Sequence, residues 1–294
     1  MRTMKRLVMA IALLSLAVSC RPAPSSTASQ PTAYIENKGS DTIVNLALAW
    51  AERYQDEHSN IRISVTGGGS GTGIAALLNG TVDIANASRQ ISPDETKQAE
   101  AKGIKPEEFV IARDAIAVIV NPHNPVSRLT LQQISDLYSG KISNWKELGG
   151  DDRPIVRLSR ETNSGTHVYF LETVLRLGRK DDKTLFSTDT LLLPSSEGII
   201  AELQDNPNAI GYDGLGYVPS NGSVKVIAVA KDANSAYTLP SVETVNSKTY
   251  PIARDLYMYT AGDPQGAAKD YLDWIRTSAE AQDIVGKLGF VPIK

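Results

Sequence analysis

Three times in this chain a short apolar run ends in a Gly/Ser/Thr turn and a helix-forming stretch begins at once. The clearest case is Thr66-Gly67-Gly68-Gly69-Ser70-Gly71-Thr72-Gly73, which follows the alternating run Ile61–Val65 and precedes Ile74–Asn79, a helix that Gly80 can close. Gly39-Ser40-Asp41-Thr42 does the same ahead of Ile43–His58, and Ser159–Thr166 ahead of His167–Leu177. Strand, turn and helix in that order describe an α/β fold. Glycines let a backbone approach a ligand closely, and the first amides of a helix lack intrahelical partners and carry the positive end of its dipole. Three such ends in one protein suggest helix N-termini that converge on an anion. Taken singly, each turn is also what a plain tight loop looks like.

The glycines match no nucleotide or nucleophile signature. There is no G-x-G-x-x-G, no Lys follows as a P-loop requires, and Thr72 stands where G-x-S-x-G needs its last glycine. Arg160 in the third turn offers a planar charged fork suited to an oxyanion, although spacing alone equally allows a surface ion pair. Ser164 equally reads as an ordinary N-cap. His58, His123 and His167 are scattered without metal-ligand spacing, so no metal and no cofactor is expected. A hydrolase would need Ser70 or Ser164 paired with His167, a weak motif that makes phosphoester hydrolysis the alternative from another class.

Met1–Ser19 carries Arg2, Lys5 and Arg6 before an apolar run and small residues, the layout of a secretory signal peptide. Cleavage there would leave Cys20, the only cysteine, as the new N-terminus, and lipidation accounts for a lone thiol in an exported protein. The box is imperfect, because Ala17 stands where a Leu is usual; a soluble export product is the other outcome. Residues 20–33 are Pro-, Ser- and Thr-rich and read as a flexible tether. The whole chain has a formal charge of −3, and loss of the three basic signal residues makes the mature form more acidic. Nucleic acid is therefore not an expected partner, and any membrane attachment runs through the N-terminal lipid alone.

Between the turns the chain alternates. Thr81–Arg89 reads as a strand, Ser92-Pro93-Asp94-Glu95 as a helix start, Phe109–Val120 as a buried strand around Asp114, and Leu129–Tyr138 as an amphipathic helix. Ala209–Tyr212 and Val224–Ala230 read as strands, Asn234–Ser247 as irregular, and Ala267–Gly286 as helical.

GSDT at 39–42, GGGSGTG at 67–73, TVDIANASR at 81–89, LQQISDLYSGKISNWKELGG at 131–150, SRETNSGTH at 159–167 and AIGY at 209–212 occur in an order that resembles PstS-type phosphate-binding proteins of ABC importers. The resemblance spans nearly all of the chain from Tyr34. It implies a two-lobed type II periplasmic binding protein fold with two crossover segments, near Arg113 and Tyr250. Lobe one would be 34–112 plus 250–294, and lobe two 113–249. It further implies a monomeric, exported, non-enzymatic receptor that captures inorganic phosphate and passes it to ABC permease subunits. Another oxyanion, such as molybdate or sulfate, is the nearer alternative.

Carried over by position, the resemblance implies that Ser40, Asp41, Thr42 and the Ile43 amide form one phosphate-holding turn and that Ser70 serves the second. Arg160, Ser164, Gly165 and Thr166 would come from lobe two. Some relatives carry an aspartate that accepts a phosphate proton; here Ser88 stands at that place, followed by Arg89. Asp41 is then the candidate substitute acceptor, or else a cap or a brace for Arg160. Arg89 is expected either to add charge to the site or to pair with Asp41.

Overall fold

A computed structural model describes residues 32–293 of the chain. The expected export signal, Cys20 and the expected tether as far as residue 31 lie outside the described residues, and Ala33, expected to end the tether, begins the first strand.

The first half runs β1 (Ala33–Gly39), α1 (Asp41–Glu57), β2 (Ile61–Thr66), α2 (Ser70–Leu78), β3 (Ile84–Ala87), α3 (Pro93–Ala101) and the long β4 (Glu107–Val120). Next come β5 (Arg128–Thr130), α4 (Leu131–Tyr138), β6 (Val156–Arg160), α5 (Gly165–Phe170), β7 (Leu191–Leu193), α6 (Ser196–Asp205) and β8 (Ala209–Gly214). The chain ends with β9 (Lys225–Val226), β10 (Ala228–Ala230), α7 (Val242–Asn246), β11 (Ala253–Thr260), α8 (Gly266–Thr277) and α9 (Ala279–Lys287).

The main sheet has the order β2-β1-β3-β11-β4-β8-β6-β7. At one end β2, β1 and β3 are parallel, and at the other β8, β6 and β7 are parallel. Only β4 and β11 join the two ends. The first half of β4 pairs antiparallel with β11 and its second half with β8, so a single strand serves both ends of the sheet. Its Ala115–Val120 run is buried on both faces, which is why it reads as continuously apolar.

Apolar side chains gather on either side of this junction. Ile35, Ile43, Leu46, Trp50, Ile111, Met258, Tyr271 and Ile275 form one cluster around α1, α8 and the β1 end. Ile116, Val118, Leu137, Tyr138, Trp145, Phe170, Tyr212 and Ile252 form another around α4, α5 and the β8 end. In α1 the buried residues Ile43, Leu46, Ala47, Trp50 and Tyr54 fall three and four apart, the stripe that docks a helix on a sheet.

Some local expectations change. The Val224–Ala230 run is two strands with different partners, since β9 pairs antiparallel with β4 and β10 parallel with β5. The polar stretch before Tyr250 contains α7, started by the Ser241 capping box with Thr244. The helix expected over Ala267–Gly286 breaks at Ser278, whose hydroxyl accepts from the Ala281 amide and starts α9. The helix after Thr166 is α-helical only to Phe170 and continues as a π-helical turn over Leu171–Leu175.

Candidate functional site

Parallel strands that feed helices leave their C-terminal ends as a row of turns, and in open α/β sheets that edge is where ligands bind. Here β1, β2 and β3 end at Gly39, Thr66 and Ala87, and β6 and β8 end at Arg160 and Gly214. The two sets of turns face each other across β4 and β11.

Their side chains meet. Thr42 Oγ1 lies 2.8 Å from Thr166 Oγ1, and both residues are fully buried. Ser70 Oγ accepts from the Ser88 amide at 3.1 Å and lies 3.4 Å from Ser88 Oγ. Gly165 sits against this serine pair so closely that a Cβ there would stand 2.3 Å from Ser70 Oγ and 2.6 Å from Ser88 Oγ. Only glycine permits that approach. Ser164 caps α5, its hydroxyl accepting from the Thr166 amide at 3.2 Å.

The first turn is held more by its backbone than by its side chains. Ser40 donates its amide to Asn86 O, and its carbonyl accepts from the Ile43 amide at 3.1 Å. The Ile43 side chain belongs to the apolar core. Asp41 uses both carboxylate oxygens: Oδ1 accepts from the Gly68 amide at 2.8 Å and Oδ2 from Arg160 Nη2 at 2.7 Å. It therefore braces Arg160 across the cleft and ties the first turn to the second. Asn163 adds to the bridge, donating from Nδ2 to Gly68 O at 3.0 Å while its carbonyl accepts from the Gly71 amide.

Arg160 is almost wholly buried. Besides Asp41 it donates to Ser196 Oγ at 2.8 Å and Pro194 O at 2.9 Å, and its Nη1 lies 3.6 Å from Asp213 Oδ2. Arg160 Nε and Asp213 Oδ2 are buried and make no hydrogen bond among the described residues. Burial pushes the Asp213 carboxyl above the ordinary carboxylate range, with Arg160 opposing that shift.

Of the two roles expected for Arg89, pairing with Asp41 is not seen among the described residues. Arg89 forms a two-pronged pair with Glu95, each contact 2.7 Å. Glu95 stands at the third position of α3, where its carboxylate also accepts from the Ser92 amide, so local capping geometry places it within reach. Burial raises the Glu95 carboxyl, but the Arg89 fork and the hydrogen bonds from Ser92 together more than offset it, leaving it below its usual range. His167, the hydrolase candidate, places Nδ1 3.0 Å from Ser159 Oγ, with no hydrogen bond to Ser70 or Ser164 among the described residues.

Sequence reasoning missed Arg254, Asp213 and Ser196. Arg254 Nη1 donates to Ser88 O at 2.8 Å and its Nη2 to Thr166 Oγ1 at 2.9 Å, while Nε and Nη2 grip Asp114 Oδ2. Burial pushes the Asp114 carboxyl up to about 6, against the pull of Arg254. One signal was available: an acid inside the apolar Phe109–Val120 run needs a buried cation.

Residues 25–279 match the family described as a PBP superfamily domain. The phosphate-binding protein PstS of Pseudomonas aeruginosa strain PAO1 is 30% identical over 99% of this chain and 95% of its own length. Among solved structures, a protein of Clostridium perfringens assigned as a phosphate ABC transporter substrate-binding protein, with bound phosphate, superposes with a TM-score of 0.78. It is 32% identical, covering 89% of this chain and 100% of that one. An ABC-type phosphate transport receptor from Vibrio cholerae gives a TM-score of 0.68 at 28% identity, covering 87% of this chain and 99% of that one. The shared architecture is the type II periplasmic binding protein fold. With family model, full-length relative and fold in agreement, this chain belongs to the PBP superfamily, among the PstS-type phosphate-binding proteins of ABC importers.

Proposed function

We propose that this protein is an extracytoplasmic receptor that closes two lobes on one inorganic phosphate ion and delivers it to the permease of an ABC importer. It works by binding and release, with no covalent step. The observation that carries this function is the meeting of Thr42 with Thr166 and of Ser70 and Ser88 with Gly165 at facing strand ends, all of them buried, with the buried Arg160 joined to the same cleft through Asp41. Hydroxyls, helix-start amides and one guanidinium are donors, and an oxyanion stripped of water needs donors. Arg160 Nε, which makes no other hydrogen bond among the described residues, is the donor we assign to the ion.

We assign 34–112 with 250–294 to lobe one and 113–249 to lobe two. The change of partner within β4, between Ala115 and Ile116, lies close to that boundary, and the apolar clusters follow the division apart from Tyr250, Ile252 and Val291, which pack with lobe two. The ion then links the lobes and shifts the population toward the closed form. Small-angle X-ray scattering on the ligand-stripped and phosphate-saturated protein tests closure. The radius of gyration should fall on saturation, and an unchanged profile would contradict it.

Ser88 offers no carboxylate, so we assign the rejection of sulfate to Asp41. Each of its oxygens accepts one hydrogen bond here and a carboxylate oxygen can accept two, which leaves room for a proton-bearing phosphate oxygen. Fully deprotonated sulfate has no hydrogen to offer. Asp41→Asn should lose discrimination between the two ions; full discrimination in that variant would reduce Asp41 to the brace of Arg160. We further propose that the protein is a monomer held at the membrane by lipid on Cys20. Mass spectrometry of the exported protein would detect that lipid, and an unmodified N-terminus would exclude it.

A further inference from the structure

The strand pair that joins the two ends of the sheet carries a buried ion pair of its own. Arg254 on β11 and Asp114 on β4 are directly opposed in the antiparallel register. Their side chains are 2% and 0% exposed, and Asp114 Oδ2 receives both Nε, at 3.2 Å, and Nη2, at 2.9 Å. Asp114 is fixed in turn by the Leu215 amide, which donates to Oδ1 at 3.2 Å. The Tyr169 ring covers the guanidinium, its centroid 5.5 Å from Cζ. A fork held on so many sides has one orientation.

That orientation aims the fork at the anion site from behind. Nη1 donates to Ser88 O at 2.8 Å, and Nη2 donates to Thr166 Oγ1 at 2.9 Å and lies 3.5 Å from Thr42 Oγ1. An arginine has donors and no acceptor and keeps its charge at every pH a protein survives. Thr166 Oγ1 must therefore spend a lone pair on Arg254. The two threonine hydroxyls hold two hydrogens between them, and the contact between the oxygens uses one. Whichever threonine donates in that contact, one hydrogen is left over, and it cannot point at the guanidinium. Among the described residues it meets no acceptor.

Building on the phosphate-capture function above, we propose that Arg254 is a positioning residue for the anion site, which acts through Thr166 to turn the Thr42–Thr166 hydroxyl pair into a donor for the bound ion. Arg160 and Arg254 thus differ in kind: the first meets the ion, the second orients the groups that meet it. Because Arg254 grips Ser88 on one side of the cleft and Thr166 on the other, it also makes this orientation available only when the two sides are together.

The test is phosphate affinity, by calorimetry on the full chain, for Arg254→Gln in three backgrounds: Thr166 intact, Thr166→Ser and Thr166→Val. With threonine or serine in place, Arg254→Gln should weaken phosphate binding roughly tenfold to a hundredfold, the worth of a hydrogen bond to a charged group. In the Thr166→Val background, which has no hydroxyl to orient, the same change should matter by less than about threefold. A loss of equal size in all three backgrounds would overturn the proposal, because a purely structural role does not depend on a hydroxyl at 166. So would an Arg254→Gln chain that binds as the parent does. If Arg254→Gln does not fold with Asp114 left unpaired, the cycle is run in Asp114→Asn, where no buried carboxylate lacks its cation, with the same expectations. A parent chain that takes up no phosphate overturns the function itself and this inference with it; a parent that binds while the cycle fails overturns this inference alone.

Discussion

The two faces of the cleft hold the same kinds of donor and differ in charge. On the β1–β3 side, Thr42, Ser70 and Ser88 present neutral hydroxyls, and the one charged group in the turn, Asp41, is an acid. On the β6 side the turn carries Arg160, and Asp41 reaches across to it. Counting the groups that touch one another, Arg160 and Arg254 stand against Asp41, Asp114 and Asp213, so the buried cluster holds no excess of positive charge. On the proposed function, an anion would be held here by the placement of individual donors and not by the general field of a basic pocket. The difference between the faces assigns them different tasks. In the proposed function the β1–β3 face, neutral apart from Asp41, would supply shape and hydroxyls, and the β6 face, with Arg160, the strongest single contact.

The largest effect should come from the charged face. Arg160→Ala removes the fork and leaves Asp41 and Asp213 without their cation, and phosphate affinity should fall by roughly a hundredfold or more. Calorimetry would measure it, and a loss as small as that of a hydroxyl deletion would break the contrast between the faces. Gly165→Ala comes next. Its added carbon would overlap Ser70 Oγ and Ser88 Oγ, an overpacking of ~1–3 kcal/mol set against the closed form. Affinity should drop about tenfold, with less compaction in scattering, while the melting temperature without phosphate changes little.

On the neutral face, Ser70→Ala should weaken phosphate only severalfold, in line with ~0.5–1.5 kcal/mol for a neutral hydrogen bond. A loss as large as that of Arg160→Ala would show that the serine pair, and not the guanidinium, is the principal contact. The smallest effect is one of pH. Burial holds the His167 imidazole below its ordinary 6.5, so the unfolded chain takes up the proton more readily than the folded one. That stabilisation is complete above about 6.5 and is lost as pH falls through the folded value. His167→Gln should flatten the dependence of melting temperature on pH in that acid range. An unchanged slope would mean that His167 is not the group responsible.

Much of this architecture was legible in the sequence because local rules carried it. Each of the three Gly/Ser/Thr turns sits at a strand end and opens a helix, as orphan helix amides and glycine conformations dictate. The capping box at Ser92 and the buried apolar run of β4 were equally local. What stayed hidden was long-range pairing. Nothing in the spacing of Arg254 and Asp114, 140 residues apart, says that they are opposed across two strands. Arg89 was assigned by proximity to the site motif, yet Glu95, six residues on, was already the capping acid of α3 and the nearer partner. The break at Ser278 was missed because a serine inside an amphipathic pattern does not announce whether it interrupts a helix or caps the next one. Asp213 follows directly on the AIGY motif, but its burial beside Arg160 depends on how β8 and β6 pair.

The central claim is that the meeting turns hold one phosphate ion, and calorimetric titration of the ligand-stripped protein tests it most directly. The account predicts saturable one-to-one binding of phosphate that an excess of sulfate does not displace. Absence of any phosphate heat in protein shown to be refolded, or equal competition by sulfate, would contradict it.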